Sequence, residues 1–276
     1  MTRVSESVEL PNGVELPNGV ELPYAGQGEP SGVPVLLLHG VTDSWRSFAR
    51  VLPRLPPSVH AFAPSQRGHG DAGRPATGYA PHDFAADLAA FMDVLGLGPA
   101  VVVGHSMGAS VAQRFALDHP GRTLGLVLVG SFFAGWRGSP AAVELWASVV
   151  SGLTDPVDPG FVREFQEGTV ARPVPPAFLD TVVRESLKVP ARVWRAVFEG
   201  FLEADFSARL GGIGVPTLIV WGDRDAICPR GEQEALAAAI PDARLAVYPG
   251  AGHAPHWEEP ERFTADLVAF TDRVVG

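Results

Sequence analysis

A serine stands between two glycines in Gly104-His105-Ser106-Met107-Gly108, directly after the apolar run Ala100-Val101-Val102-Val103. This G-x-S-x-G pattern predicts a nucleophile on a sharp strand-to-helix turn. Such a turn leaves no room for side chains at 104 and 108, and it forces Ser106 into a strained backbone conformation that holds its hydroxyl in the open. The helix predicted over 107–118 aims its N-terminal N–H groups at the same point, where negative charge would develop on a substrate oxygen. A serine hydroxyl is a weak nucleophile at neutral pH. It needs an imidazole to take its proton and a carboxylate to orient that ring and stabilise the imidazolium.

Both partners lie downstream, in the order serine, acid, histidine. Asp225 follows the predicted strand Thr217–Val220 within Trp221-Gly-Asp-Arg-Asp225, so it leaves the sheet at the same edge as Ser106. Asp223 competes for the role, but the nearer residue commonly serves the turn by capping backbone N–H groups. His253 sits in the glycine-rich loop Pro249-Gly-Ala-Gly-His253, with His256 as the fallback. Upstream, Leu36-Leu-Leu-His39-Gly40-Val41 places a His-Gly turn after a buried strand. The N–H groups of Val41 and Met107 would form an oxyanion hole, a contribution of about 3–4 kcal/mol per donor. His39 and His105 read as structural. The single cysteine, Cys228, excludes an intramolecular disulfide and reads as a small buried hydrophobe. No cluster has the spacing of metal ligands, and the chemistry calls for no cofactor.

Parallel strands alternating with amphipathic helices would position these groups. The apolar runs predict strands at Val35–Leu38, Val59–Ala63, Ala100–Val103, Leu124–Val129, Thr217–Val220 and Arg244–Val247. Helices are predicted near 44–54, 81–95, 107–118, 230–239 and 260–273. Residues 131–210 break this rhythm with helical segments interrupted by prolines, which predicts an inserted helical cap between core segments 1–130 and 211–276. Trp45, Phe132, Phe133, Trp136, Trp146 and Trp194 are the expected substrate-contacting residues, with Met107 beside them, and together they suggest an apolar or aromatic acyl or alkyl group.

The 276 residues carry a net charge of −10, which argues against a nucleic-acid partner. Met1-Thr-Arg-Val-Ser-Glu-Ser lacks the apolar core of a signal peptide, and no run approaches a membrane span, so a soluble cytoplasmic protein without a membrane partner is expected. The N-terminus repeats itself: Val8-Glu-Leu-Pro-Asn-Gly13 is followed by Val14-Glu-Leu-Pro-Asn-Gly19 and Val20-Glu-Leu-Pro23. Three six-residue units are too short for a solenoid. Each copy reads as a strand ending in an Asn-Gly turn, a local duplication within a hairpin of which one copy is dispensable.

Taken together, His39-Gly40, Gln66-Arg67-Gly68-His69-Gly70, Gly104-His105-Ser106-Met107-Gly108, Gly222-Asp-Arg-Asp225 and Gly252-His253 resemble the α/β-hydrolase fold superfamily from about residue 20 onward. The resemblance implies a mostly parallel central sheet with helices on both faces, an inserted helical cap, and the triad Ser106, Asp225 and His253. The Gln-Arg-Gly-His-Gly loop is similar to that of epoxide hydrolases and haloalkane dehalogenases, but those use an aspartate where this chain has Ser106. Epoxide opening also uses cap tyrosines, whereas Tyr24, Tyr79 and Tyr248 all lie outside 131–210, and Met107 replaces the dehalogenases' halide-binding tryptophan. Acyl transfer to water remains, with a small ester or lactone as the first expectation. Carbon–carbon bond hydrolysis and cofactor-free perhydrolysis share the triad, although the perhydrolases' oxyanion-loop proline is missing from His39-Gly-Val-Thr-Asp43. A different class, a small-molecule sensor on the same fold, would show a large exposed apolar patch on the cap.

Overall fold

The computed structural model describes residues 9–133 and 135–276; Val8, which opens the repeat, lies outside them. Eight strands form one sheet: β1 (Glu9–Glu15), β2 (Glu21–Gln27), β3 (Val33–Leu38), β4 (Val59–Pro64), β5 (Ala100–His105), β6 (Thr123–Val129), β7 (Thr217–Gly222) and β8 (Ala243–Tyr248), in the order β1-β2-β4-β3-β5-β6-β7-β8. Strands β3 to β8 run parallel, while β1 and β2 join as an antiparallel hairpin at one edge. Being covered on both faces, the parallel strands need no polar face and read as continuous apolar runs. Alternate residues nonetheless go opposite ways. Leu36, Leu38 and Val102 join the larger core, whereas Val35, Leu37, Val101 and Val103 join the smaller one.

Helices α1 (Pro81–Val94) and α2 (Met107–Asp118) cover the first face through Phe84, Phe91 and Phe115. Between β6 and β7 come α3 (Pro140–Ser148), α4 (Pro159–Glu167), α5 (Pro176–Ser186) and α6 (Ala191–Glu203), and no strand lies among the described residues there. After β7 follow α7 (Arg230–Ala239), the single turn α8 (Pro255–Glu258), and α9 (Pro260–Val275), which covers the second face with Phe263, Leu267 and Phe270. The helix expected over 44–54 is instead two short 3-10 turns, Trp45–Phe48 and Leu52–Arg54. Pro53 explains the break, since it has no N–H to continue a helix.

The two repeat copies are not equivalent. Asn12-Gly13 lies inside β1, opposite Tyr24 and Pro23, so the expected turn there does not form. Asn18-Gly19 makes the hairpin turn: Gly19 takes φ +77°, and Asn18 Oδ1 accepts the Val20 N–H at 3.1 Å. Asn18 Nδ2 also donates to Asp87 at 2.9 Å, joining the buried Arg67–Asp87 ion pair that fastens the Gln66–Gly70 loop to α1. Deleting residues 8–13 removes most of the edge strand but leaves Asn18 and the buried Val14, Leu16, Val20 and Leu22 in place. The expected drop in melting temperature is less than about 5 °C, the equivalent of roughly 1–2 kcal/mol in a chain of this size. A calorimetric loss well beyond that would show the first copy to be structural.

Candidate active site

Strands β3, β5, β7 and β8 all deliver residues to one edge of the sheet, the carboxyl edge where ligands bind in open α/β sheets. At the end of β5 the chain reverses into α2 so sharply that a Cβ on Gly104 would lie 2.2 Å from the Gly108 carbonyl oxygen. A Cβ on Gly108 would lie 2.2 Å from that of Leu38. Ser106, at the crossing, has φ 53° and ψ −112°. A non-glycine residue at positive φ stores strain of about 1–3 kcal/mol, and here the hydrogen bond from its N–H to Val129 O (2.9 Å) helps hold it. Met107 opens α2, so its N–H has no partner within the helix. Val41 follows β3 across the gap and lines the same cavity as Ser106.

Asp225 hangs from the turn after β7. Its Oδ1 accepts the N–H groups of Ile227 (2.8 Å) and Cys228 (2.9 Å), and its Oδ2 accepts Nδ1–H of His253 at 2.9 Å. A carboxylate can only accept, so Nδ1 carries the proton and Nε2 is left as the basic atom. Asp223 is exposed and takes the N–H of Gly250 at 2.6 Å, the turn-capping role expected of it. The His253 loop is fixed from two sides. Glu258 accepts the N–H groups of Gly252, Ala171 and Arg172, and His105 Nε2 donates to the His253 carbonyl at 3.1 Å. Gly130 makes room for the ring, since a Cβ there would sit 2.8 Å from Nδ1. Nε2 of His253 is buried without a partner and is not hydrogen-bonded to Ser106, although both residues line one cavity. Such contacts are commonly loose before substrate binds.

That cavity measures about 260 Å³. The pattern of the family described as "alpha/beta hydrolase fold" matches residues 33–260, most of the chain. The chain belongs to the α/β-hydrolase fold family. It is 30% identical over 264 residues to a non-heme haloperoxidase of Rhodococcus erythropolis, covering 88% of this chain and 93% of that one. A 2-hydroxy-6-oxo-6-phenylhexa-2,4-dienoate hydrolase of Burkholderia cepacia is 30% identical over 204 residues, 64% of this chain and 65% of the relative. Among solved structures, a thermophilic esterase from Thermogutta terrifontis superposes with a TM-score of 0.83 at 28% identity, covering 96% of this chain and 99% of the other.

Of the six expected substrate-contacting residues in this α/β-hydrolase, Phe132 and Trp136 line the cavity. The other four do not. Trp45 packs with the smaller core on the second face, beneath the Arg46 guanidinium. Phe133 turns aside, its N–H bonded to Glu232. Trp146 stacks on Phe198 from outside, and Trp194 is enclosed by Phe161 and Phe165 of α4. Trp146 and Trp194 thus join α3, α4 and α6 to one another. The cavity wall also includes residues that sequence reasoning did not single out: Leu145, Phe165, Phe198, Ile227, and the polar side chains Asp43, Glu164, Gln166 and Thr169. The helical period of α6 placed Phe198 on an apolar face, but the sequence carried no signal for which apolar face met the cavity.

Burial dominates the electrostatics. It pushes His39 and His105 well below the usual histidine range, His69 to about 4 and His256 to about 3, so these four rings stay neutral. His39 Nε2 accepts the Gln66 N–H and its Nδ1 donates to Gly40 O, a purely structural pairing. His256 faces Ser47 and has no carboxylate behind it. One group of three metal-capable side chains occurs among the described residues, Asp225, Cys228 and His253, with donor atoms within 4.8 Å of one another. Their hydrogen bonds account for the arrangement without an ion: the Cys228 thiol, kept protonated by burial and by Asp225, donates to Gly130 O at 3.4 Å. No helix among the described residues is long and apolar enough to cross a membrane.

Asp43 behaves differently from the histidines. Burial raises its carboxyl to about 7, against the opposing pull of hydrogen bonds from Gln166 and Ser47. A carboxyl whose folded pKa exceeds its unfolded value near 3.9 binds its proton more tightly in the native state, so its contribution to stability is greatest below pH 4 and declines until about pH 7. Asp43→Asn removes that dependence. Urea titrations from pH 4.5 to 7.5 should show the wild-type protein losing stability relative to the variant by up to a few kcal/mol, with no further relative change above pH 7.5. Parallel curves would refute a shifted Asp43.

Proposed function

We propose that this protein is a serine hydrolase of small, neutral carboxylic esters or lactones, acting through an acyl-enzyme. The observation that carries the reading is the convergence on one apolar cavity of Ser106, on its strained turn, and His253, with its Nδ1–H held by Asp225 and its Nε2 free. Ser106 Oγ attacks the carbonyl carbon while Nε2 of His253 takes the hydroxyl proton. The tetrahedral oxyanion is met by the N–H groups of Val41 and Met107. Collapse returns the carbonyl and breaks the ester bond, and the imidazolium gives its proton to the leaving alkoxide. Water then attacks the acyl-enzyme with His253 again as base, releasing the acid and restoring Ser106. Residues 131–210 form the cap in this reading, and they supply most of the acyl-site wall.

Charge in the cavity favours neutral esters over a dienoate substrate. Among the described residues that line it, none is lysine or arginine, whereas Asp43 and Glu164 are acids. A substrate bearing a free carboxylate would be buried there without a counter-ion, at a cost of several kcal/mol. The perhydrolase alternative lacks its loop proline, since Val41-Thr42-Asp43 occupies that stretch. A sensor surface is also unsupported: the exposed large apolar residues among those described are Val94, Val143, Leu187 and Val275, and the insertion contributes Val143 and Leu187 singly.

Purified protein should hydrolyse p-nitrophenyl acetate and butyrate, with octanoate slower because the cavity is short. Ser106→Ala should abolish turnover. Asp225→Asn should lower kcat by about 10⁴, since the ring would then favour the wrong tautomer. Hydrolysis surviving Ser106→Ala would refute the reading, and faster cleavage of a carboxylate-bearing vinylogous diketone than of any ester would replace it with carbon–carbon hydrolysis.

A further inference from the structure

Among the described residues, two that are not glycine have positive φ: Ser106 at 53° and Thr42 at 67°. Each adjoins one of the two N–H groups assigned to the oxyanion hole, Ser106 next to Met107 and Thr42 next to Val41. The strain at Ser106 follows from the β5–α2 crossing. Thr42 has no such crossing, and a β-branched residue is poorly suited to this region of backbone space. Left-handed backbone at a threonine persists only where the surroundings enforce it.

The enforcing contacts come from the insertion. Gln166, near the end of α4 and fully buried, donates through Nε2 to Ser186 Oγ (2.8 Å), Asp43 Oδ1 (3.0 Å) and Thr42 Oγ1 (3.2 Å). Thr42 Oγ1 donates in turn to Ser186 Oγ at 3.2 Å, and the Ser186 hydroxyl donates to Val182 O within α5 at 3.0 Å. On the other side, Ser47 donates to Asp43 Oδ2 at 3.3 Å and receives the indole N–H of Trp257 at 3.0 Å, four residues after His253. One buried polar chain thus runs from two insertion helices through the loop after β3 to the histidine loop. The two hydrogens of that amide are shared among three acceptors, which ties α4, α5 and the loop after β3 to one position.

We infer that Gln166 is a positioning residue for the oxyanion hole: together with Ser186 it holds Thr42 in the left-handed conformation that aims the Val41 N–H at the reacting oxygen. The insertion then does more than wall the cavity, since the hole is complete only when α4 and α5 are seated. This rests on the serine-hydrolase reading above. A misplaced donor costs transition-state stabilisation and leaves ground-state binding of the acyl group almost untouched.

The test is Gln166→Leu, which keeps the side-chain volume and removes the donor. Expected are a fall in kcat of at least about tenfold on p-nitrophenyl acetate and butyrate alike with KM within about threefold, and an equal slowing of Ser106 phosphonylation by a fluorophosphonate. A residue that only walled the cavity would move KM and the chain-length preference instead, and that result, or an unchanged labelling rate, would overturn the inference. Thr42→Gly placed in the Gln166→Leu background should recover kcat by at least about threefold, because glycine occupies positive φ without strain. Should Gln166→Leu fail to fold, Ser186→Ala weakens the same contacts and should slow labelling by at least about threefold; no slowing would again overturn the inference. Wild-type protein whose Ser106 resists the fluorophosphonate would instead defeat the underlying hydrolase reading.

Discussion

The backbone crossing at Ser106 is the constraint on which the rest of this molecule depends. Strand β5, helix α2 and the end of β3 approach so closely that Gly104 and Gly108 tolerate no side chain. That closeness is possible because β3 and β5 are adjacent parallel strands at the centre of the sheet, registered with Leu38 opposite Gly104. The same registration places the loop after β3 beside the start of α2, so the N–H groups of Val41 and Met107, the proposed oxyanion hole, follow neighbouring strands. Asp225 follows β7, separated from β5 only by β6, and His253 follows β8, the next strand beyond β7. The spacing of parallel strands therefore sets the scale of the site before any side chain is chosen.

Several buried polar pairings around this frame show what each loop is fastened to. Arg67 and Asp87 tie the Gln66–Gly70 loop to α1 and, through Asn18, to the N-terminal hairpin. A buried ion pair contributes little net stability over apolar packing, but losing one partner is costly, so such a pair specifies a position more than it strengthens the fold. Glu258 performs a comparable service for the His253 loop by collecting three backbone N–H groups. Nε2 of His253 is one of ten buried side-chain polar atoms without a partner among the described residues, and it belongs to a residue that shares the cavity with Ser106. In the serine-hydrolase reading, that bare acceptor is where the hydroxyl proton lands.

The sheet and the order of the three chemical groups were legible because local rules govern them: apolar runs of strand length, a steric glycine pattern, and residues placed just after strand ends. The different bonding of the two aspartates follows a similar local rule: Asp223, nearer the strand, caps the turn, while Asp225 reaches His253. The cavity lining was not. Trp146 and Trp194 carry the aromatic character expected of a binding site, yet the rotation of each insertion helix about its own axis decides whether a ring meets the cavity or another helix, and that rotation is set by contacts distant in sequence. Trp45 opens the first of two 3-10 turns where one helix was expected, and its ring packs with the smaller core on the second face. Gln166 and Asp43 gave no sequence signal at all, because a glutamine in an amphipathic helix looks like any solvated residue until its partners are known.

The two strained residues of the site differ in what supports them, and the difference bears on how the protein tolerates change. Ser106 is held by the central sheet, whose strands are buried on both faces and make up the most interconnected part of the fold. Thr42 is held by side chains from helices that join the sheet only through the segments after β6 and before β7. Strain of about 1–3 kcal/mol at Thr42 has to be offset by hydrogen bonds whose net worth is about 1 kcal/mol each, so losing one of them shifts the balance. The segment between β6 and β7 is therefore under two unequal constraints. Its apolar side chains tolerate exchange for others of similar volume. Its polar contact with the loop after β3 needs one amide at one place, so a shift of α4 that the apolar packing could absorb would still disturb the hydrogen bonds at Thr42 and Asp43.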